Sequence, residues 1–259
     1  MRNFLILLLS AIAPTTSCFA ESLQYGRNQL AHIVETQCLP NFQRTNSPAP
    51  CTYVDLPQDY VINQDRRGSG HFLLIAISPI IGTESTALLT NETRGYFQNA
   101  WRHRGLVAAA RGEPMNGLDV AILTNPITTR TQDRLHLHIA PLHRPFAQML
   151  ALQAANLTEA WTQLTWDGKP IHVMKINENA LTDTNIFALI AQRTSAASHN
   201  MSQAAIVLTG AGKNVRGENQ LLLIDTTYTD APHEGWMPED LLDWRSAPTR
   251  IGLEQTAGA

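Results

Sequence analysis

The 259-residue sequence lacks an excess of basic charge, a membrane-length apolar run, a convincing internal repeat and more than three cysteines. Its formal net charge of −3 predicts no general attraction for nucleic acid, so anion binding requires a local cluster of cations. The apolar run from Phe4 to Ala13 is interrupted by Ser10 and ends at Pro14, too short to cross a bilayer. The composition, 44% hydrophobic and 16% charged, is that of a globular protein able to bury a core.

The N-terminus has the layout of a secretory signal. A basic residue, Arg2, precedes the apolar run, and Cys18-Phe-Ala20 ends in a small residue suited to cleavage, so residues 1–20 are predicted to be a signal peptide. Cleavage would remove one charge, that of Arg2, and change the net charge from −3 to −4. Thr15 to Cys18 also resembles a lipoprotein processing box, but Thr15 stands where an aliphatic residue is usual. Simple cleavage is therefore favoured over lipidation of Cys18.

Cleavage after Ala20 leaves Cys38 and Cys51 as the remaining cysteines. In an oxidising compartment these two are expected to form one disulfide that closes the loop of residues 39–50. A metal site at the same cysteines is the alternative. It is disfavoured because the proline-rich loop lacks the tight ligand spacing of a zinc knuckle.

The periodicity of apolar residues predicts an α+β protein with a mainly antiparallel sheet and packed helices. Helices are predicted at 22–37, 96–108, 146–164 and 185–193, with prolines at 40, 48 and 50 ending the first. Strands are predicted at 53–54, 60–62, 71–78, 119–125, 171–176, 204–208 and 220–224. The tail 251–259 is predicted to be disordered. One compact domain is expected over 21–250.

Two histidines stand two residues apart in the segment from Arg130 to Ala140. On a strand, His136 and His138 share one face, while the intervening aliphatic residues point into the core. The strand predicted at 119–125 pairs with this segment and brings Asn125 to the same face. The same alternation assigns three further polar residues to the histidine face: Arg130, Gln132 and Arg134.

Three interpretations of the histidine pair remain. An inert, half-exposed strand would account for one histidine better than for two. A metal site requires a third protein ligand, for which His143 and Asp133 are the nearest candidates, one beyond a proline and the other on the wrong face. Nucleophilic catalysis at phosphorus is favoured, because a neutral imidazole can attack a phosphoryl group while neighbouring donors neutralise its oxygens.

Leu135-His-Leu-His-Ile-Ala140 resembles the end of the histidine-triad (HIT) motif, and its context resembles the bacterial CDP-diacylglycerol pyrophosphatases of that superfamily. The resemblance also rests on four segments in order: Cys38-Leu-Pro-Asn41, Ser47-Pro-Ala-Pro-Cys51, Gly82-Thr-Glu-Ser85 and Arg130-Thr-Gln-Asp133. It covers residues 30–150 well and the C-terminal part loosely. It implies a HIT-like fold for the domain 21–250.

The resemblance implies hydrolysis of CDP-diacylglycerol to CMP and phosphatidate through a CMP-histidine intermediate. His136 would be the nucleophile and His138 would orient and stabilise the site. The substrate-binding residues would be Asn125, Arg130, Gln132 and Arg134, the last in place of the first triad histidine. An arginine cannot act as a general acid near neutral pH, which puts any titrating role at that position in doubt.

The same resemblance implies no metal or cofactor, no nucleic-acid ligand and no obligate protein partner. The enzyme would act in the periplasm, at a membrane surface where it meets its lipid, either peripheral on the inner membrane or anchored to it. Two other functions stay open. One is a nucleotidyl hydrolase or transferase acting on a soluble nucleotide diphosphate, and the other is a catalytically silent lipid-binding or nucleotide-binding protein.

Overall fold

The computed structural model describes residues 26–90, 95–196, 200–226 and 238–244. The predicted signal peptide, including Cys18, and the predicted disordered tail 251–259 lie outside these residues.

Nine strands form one antiparallel sheet. They are β1 (Tyr53–Asp55), β2 (Tyr60–Gln64), β3 (Phe72–Ala76), β4 (Val120–Thr124), β5 (His136–Pro141), β6 (Thr162–Trp166), β7 (Lys169–Asn177), β8 (Ile206–Lys213) and β9 (Asn219–Asp225). Their spatial order is β1-β2-β3-β5-β4-β8-β9-β7-β6. Every pairing is antiparallel, as the alternating sequence pattern predicts. The strand β5 therefore lies inside the sheet, between β3 and β4.

Helices cover both faces of the sheet. They are α1 (Gln29–Ile33), which continues as a π-helical turn (Val34–Cys38), α2 (Leu39–Thr45), α3 (Tyr96–Arg102), α4 (Gly105–Arg111), α5 (Arg144–Gln153) and α6 (Ile186–Ala196). Short 3₁₀ turns connect several elements, among them Pro238–Leu241 near the end of the described chain. The predicted α+β class with a mainly antiparallel sheet is confirmed.

The two faces of the sheet bury different clusters. One face packs against α3, α4 and α6 around Trp101, Phe187 and Leu137. On the other face, α1 and α2 cover the β1-β2-β3 end, with Val34 in their cluster, while α5 covers the β4-β8-β9-β7 part through Phe146. The second face thus carries two separate apolar clusters with a gap between them.

The disulfide between Cys38 and Cys51 is present, with a Cα–Cα distance of 5.6 Å. Both cysteines are buried in the cluster that includes Val34, Val61 and Leu73. The bond joins the end of the π-helical turn to the start of β1. It therefore ties the helical segment that begins with α1 to the edge strand β1, which pairs with β2.

Two sequence predictions of helix ends were wrong. Helical structure continues past Pro40 to Thr45, because the π-helical turn Val34–Cys38 lies directly before Pro40 and interrupts the regular α-helical hydrogen bonding at the point where the proline has no N–H. The helix predicted at 146–164 ends at Gln153, and Thr162–Trp166 forms the edge strand β6 against β7. Among the described residues, none of the helices is long and apolar enough to cross a membrane.

Candidate active site

His136 and His138 lie on the floor of the gap between the two clusters. In the register of the sheet, His138 stands opposite Leu73 on β3 and Leu123 on β4, so these side chains share one face. Leu73 belongs to the cluster under α1, and Leu123 belongs to the cluster under α5. The alternate residues of β5 are buried on the opposite face, as predicted. The two imidazoles are buried but line a cavity in this gap, and their ring centroids are 5.2 Å apart.

The backbone sets the protonation state of His136. Its Nδ1 lies 2.7 Å from the carbonyl oxygen of Arg134, and because a carbonyl only accepts, Nδ1 carries the proton and donates it. Burial lowers the pKa of His136 to about 4, helped by the neighbouring His138, so the ring is neutral at pH 7. The remaining nitrogen, Nε2, then carries a lone pair, and no described residue hydrogen bonds to it. A neutral imidazole with one free nitrogen is the form required of a nucleophile.

His138 is directed toward Glu239, a residue about one hundred positions later in the chain. Nε2 of His138 lies 3.3 Å from Oε1 of Glu239, and Nδ2 of Asn125 donates to the same oxygen at 2.7 Å. The two nitrogens are 3.4 Å apart. Nδ1 of His138 and Oδ1 of Asn125 are both buried, and neither has a hydrogen-bond partner among the described residues. Each side chain therefore presents its hydrogen-bonding nitrogen to the carboxylate of Glu239.

Arg67 completes the surroundings of this carboxylate. Its Nη1 lies 3.0 Å from Oε2 of Glu239, and its Nη2 lies 3.0 Å from Asp65. The guanidinium also stacks over Trp244, 4.5 Å from the ring centroid. Burial raises the pKa of Glu239, but the hydrogen bond from His138 and the charges of His138 and Arg67 outweigh it and lower the pKa to about 2. Glu239 is ionised at any physiological pH.

A cavity of about 250 Å³ opens over the histidines. One wall is α1, through Gln29, Leu30 and Ile33; another is formed by the end of β2 and the turn after it, residues 63–67. Gln132 lines this cavity, as predicted, and it is held in place on α1: its Oε1 accepts from the N–H of Leu30 at 3.1 Å. The cavity can hold only part of a group the size of a nucleotide. A larger substrate must therefore extend beyond it.

Arg130 lies in a second cavity, of about 880 Å³, on the other side of α1. Its Nη1 donates to Glu84 at 2.7 Å and its Nε to Asp133 at 3.2 Å. A Cβ at Gly82 would overlap with Nη1 of Arg130, so a side chain there would displace this guanidinium from its present position. Asp133 also pairs with Arg27, and hydrogen bonds from Arg27 and Arg130 lower its pKa. The structure thus joins the Gly82–Ser85 and Arg130–Asp133 motifs in one ion-pair network beside the histidine cavity.

Arg134 also lines the second cavity. The strand β5 begins at His136, so the strand alternation does not extend back to Arg134. Its buried guanidinium pairs with Glu35 on the π-helical turn and donates to the carbonyl oxygens of Ile77 and Ser78. Its backbone carbonyl, in contrast, contacts the nucleophile candidate His136. The substrate-binding role expected for the Arg134 side chain stays a prediction.

A metal site at the histidines would need a third ligand, and neither Asp133 nor His143 supplies it. Asp133 is held by Arg27 and Arg130, and the ring of His143 packs edge-on at 6.4 Å from Trp166. Within the described ranges, no group of three or more histidine, cysteine, aspartate or glutamate side chains is arranged to hold a metal ion.

Sequence reasoning missed the residues that come from distant parts of the chain. Glu239 and Trp244 reach the site because the segment 238–244 pairs with the end of β5: the N–H of Asp243 donates to the carbonyl of Pro141 at 2.8 Å. His71 lies beside them, stacked on Trp244 at 4.1 Å. No local pattern marks these positions. Only Arg67, in an arginine pair before a glycine-rich turn, carried a signal that could have been noticed.

Comparison with known proteins gives consistent matches. A family model described as CDP-diacylglycerol pyrophosphatase matches residues 25–247. A curated protein of Yersinia pestis named CDP-diacylglycerol pyrophosphatase is 30% identical over 210 residues, which are 80% of this chain and 81% of that protein. The match to the family model extends through β5 and through the C-terminal segment that carries Glu239.

Proposed function

The chain belongs to the CDP-diacylglycerol pyrophosphatase family and is a hydrolase; from this premise we propose that it hydrolyses CDP-diacylglycerol to CMP and phosphatidate through a covalent CMP-histidine intermediate. The observation that carries the proposal is the state of His136. Its Nδ1–H is fixed by the carbonyl of Arg134, its pKa is lowered, and its Nε2 has no hydrogen-bond partner among the described residues around the cavity that the ring lines. These properties belong to a nitrogen nucleophile that works at neutral pH.

In the first step, Nε2 of His136 attacks the cytidylyl phosphorus. A nitrogen–phosphorus bond forms as the bond to the bridging oxygen breaks, and phosphatidate leaves with the electron pair. A phosphate monoester is a stable anion, so its departure needs no proton from a general acid. The proposed mechanism is therefore compatible with Arg134, which stands in this sequence where the triad motif has its first histidine.

In the second step, water attacks the same phosphorus, the nitrogen–phosphorus bond breaks, and CMP is released with the water oxygen. The proton of the water passes to solvent or to a basic group at the site. His138 and Asn125 contribute hydrogen bonds to the phosphoryl oxygens as negative charge is redistributed in both steps. Gln132, on the wall of the cavity, and the arginines Arg130 and Arg134 are proposed to contribute to substrate binding.

The fold of the domain 21–250 is proposed to be HIT-like, and the enzyme is proposed to act in the periplasm at the membrane surface. The disulfide between Cys38 and Cys51 supports an oxidising compartment. A lipid substrate supports action at a membrane.

A trapped adduct tests the proposal. Protein is mixed with CDP-diacylglycerol labelled in the cytidine, quenched in base within milliseconds, digested and analysed by mass spectrometry. CMP attached to His136 is expected. Comparison of CDP-diacylglycerol with CDP-choline then separates a lipid hydrolase from an enzyme of soluble nucleotide diphosphates, and absence of turnover with both would indicate a silent binding protein.

A further inference from the structure

Three donors from different parts of the chain converge on the carboxylate of Glu239. Asn125 contacts Oε1 at 2.7 Å, His138 approaches the same oxygen at 3.3 Å, and Arg67 contacts Oε2 at 3.0 Å. A side-chain amide, an imidazole nitrogen and a guanidinium arranged around two carboxylate oxygens form a cradle for an anion. In the structure the anion is part of the protein itself.

The cradle stands where a phosphate of the substrate must lie. For attack, the phosphorus has to come within roughly 3–3.5 Å of Nε2 of His136. The ring of His138 is the neighbour of that nitrogen on the same face, at 5.2 Å between centroids. The phosphoryl oxygens therefore fall within reach of the donors that now hold Glu239.

His138 has no second nitrogen to offer a substrate. Its Nδ1 is buried and without a partner, so it reaches the cavity through Nε2 alone, and Nε2 faces Glu239. Asn125 also presents only its nitrogen, since its Oδ1 is buried and its Nδ2 donates to Glu239. While Glu239 stays in place, its carboxylate occupies the one nitrogen that His138 presents and one N–H of Asn125.

We propose that Asn125, His138 and Arg67 form the oxyanion site for the substrate diphosphate, and that Glu239 fills this site in the ligand-free protein and yields it to the substrate. The inference rests on the proposed function and adds two residues to it, Arg67 as a ligand of the diphosphate and Glu239 as its internal competitor. A diphosphate carries more negative charge than one carboxylate, which favours the exchange.

The exchange does not require the C-terminal segment to detach. Leu241 and Leu242 are buried in the cluster under α5, and the N–H of His143 donates to the carbonyl of Leu241 at 2.7 Å. The carboxylate of Glu239 is joined to the backbone of this anchored segment through three rotatable side-chain bonds. A change of rotamer is enough to open the cradle.

Affinity for the product CMP, measured by calorimetry on the mature chain, tests the inference without relying on turnover. Glu239→Gln removes the competing charge, so its Kd for CMP is expected to fall by about tenfold. Glu159→Gln removes one negative charge from an exposed loop before β6 and is the matched control, expected to leave the Kd unchanged. Arg67→Gln is expected to weaken CMP binding both alone and in combination with Glu239→Gln.

A carboxylate that served to orient His138 would give a different pattern. Glu239→Gln would then leave the Kd for CMP unchanged or higher and lower kcat, and this result overturns the inference. Glu239→Ala, checked for an unchanged melting curve, repeats the measurement without the remaining amide. Failure to trap a CMP adduct on His136 would overturn the proposed mechanism, whereas tighter CMP binding by Glu239→Gln would still support the competition.

Discussion

The side chain of His136 is oriented by the backbone of Arg134, whose carbonyl oxygen lies 2.7 Å from Nδ1 of the imidazole. The contact assigns the proton to Nδ1 and leaves Nε2 for chemistry. It uses no side chain of Arg134, so a substitution there keeps the acceptor. The proposed nucleophile is thus oriented by main-chain geometry at the point where β5 begins.

Loss of the nucleophile should abolish turnover. His136→Ala is expected to reduce kcat/KM for CDP-diacylglycerol by about three orders of magnitude or more, because a covalent step is removed. His138→Ala should also be severe but leave residual turnover. Circular dichroism and the melting temperature serve as controls for the fold. Retention of most activity by His136→Ala would rule out the covalent mechanism.

The pH dependence of kcat/KM should reflect the lowered pKa of His136. The neutral ring is the active form, and its pKa lies near 4 instead of 6.5 because of burial, so activity should persist below pH 6 and fall only as the pH approaches about 4. Glu239, with a pKa of about 2, stays ionised across this range. An acid limb centred near pH 6.5 would contradict the assignment.

Metal removal should have little effect on the rate. The proposed mechanism uses imidazole, amide and guanidinium groups, so prolonged dialysis against a chelator is expected to leave kcat nearly unchanged. Elemental analysis of the active enzyme should find no stoichiometric zinc. Inactivation by the chelator, reversed by a divalent ion, would favour metal-assisted hydrolysis.

The disulfide should contribute to stability by restricting the unfolded chain. For a sequence separation of 13 residues, the contribution to the free energy of unfolding is on the order of 3 kcal/mol. Reduction of the Cys38–Cys51 bond should therefore lower the melting temperature by several degrees. Since the bond ties α1 to the sheet and α1 walls the histidine cavity, KM is expected to rise more than kcat falls. An unchanged melting temperature after verified reduction would refute this role.

Arg134 should contribute to stability as well as to activity. Arg134→Ala removes the donor to the carbonyl oxygen of Ile77, at a cost of about 1–3 kcal/mol, whereas the carbonyl oxygen of Ser78 still accepts from the N–H of Ile80. Glu35→Ala removes the ion pair and keeps those hydrogen bonds; because Glu35 is half-exposed, it should cost much less. Arg134→Gln should recover part of the loss. Arg134→Ala with a parental melting temperature and a raised KM would instead indicate a purely substrate-binding side chain.

Local patterns predicted much of the frame of the site. The period of two in β5 placed His136 and His138 on one face, and the hairpin with β4 brought Asn125 to that face, as the register and the contact with His138 confirm. The cysteine count predicted the pairing that the structure contains. The strand predicted at 204–208 continues as β8 through the glycine-rich segment Gly210–Lys213, where the register shifts at a bulge, because glycine patterns alone do not distinguish a bulge from the end of a strand.

The alternation of side chains between the two faces of β5 does not predict their direction beyond the start of the strand. Applied to residues before His136, it assigned Arg130 and Arg134 to the histidine face, although the chain there has no regular strand geometry. Their guanidinium groups lie in the neighbouring cavity, paired with Glu84, Asp133 and Glu35. Of the three polar residues assigned to the histidine face, Arg130, Gln132 and Arg134, only Gln132 lines the histidine cavity.

The sequence by itself determined the antiparallel α+β class, the histidine face, the paired cysteines and the family, because each depends on near neighbours in the chain or on motif order. Only the tertiary structure decided what faces the histidines. Arg67 and Glu239 are 172 residues apart and meet because the apolar residues Leu241 and Leu242 anchor the C-terminal segment beside β5. Burial of those side chains is an interaction of the whole core, and no local pattern of residues specifies which distant carboxylate it brings to the site.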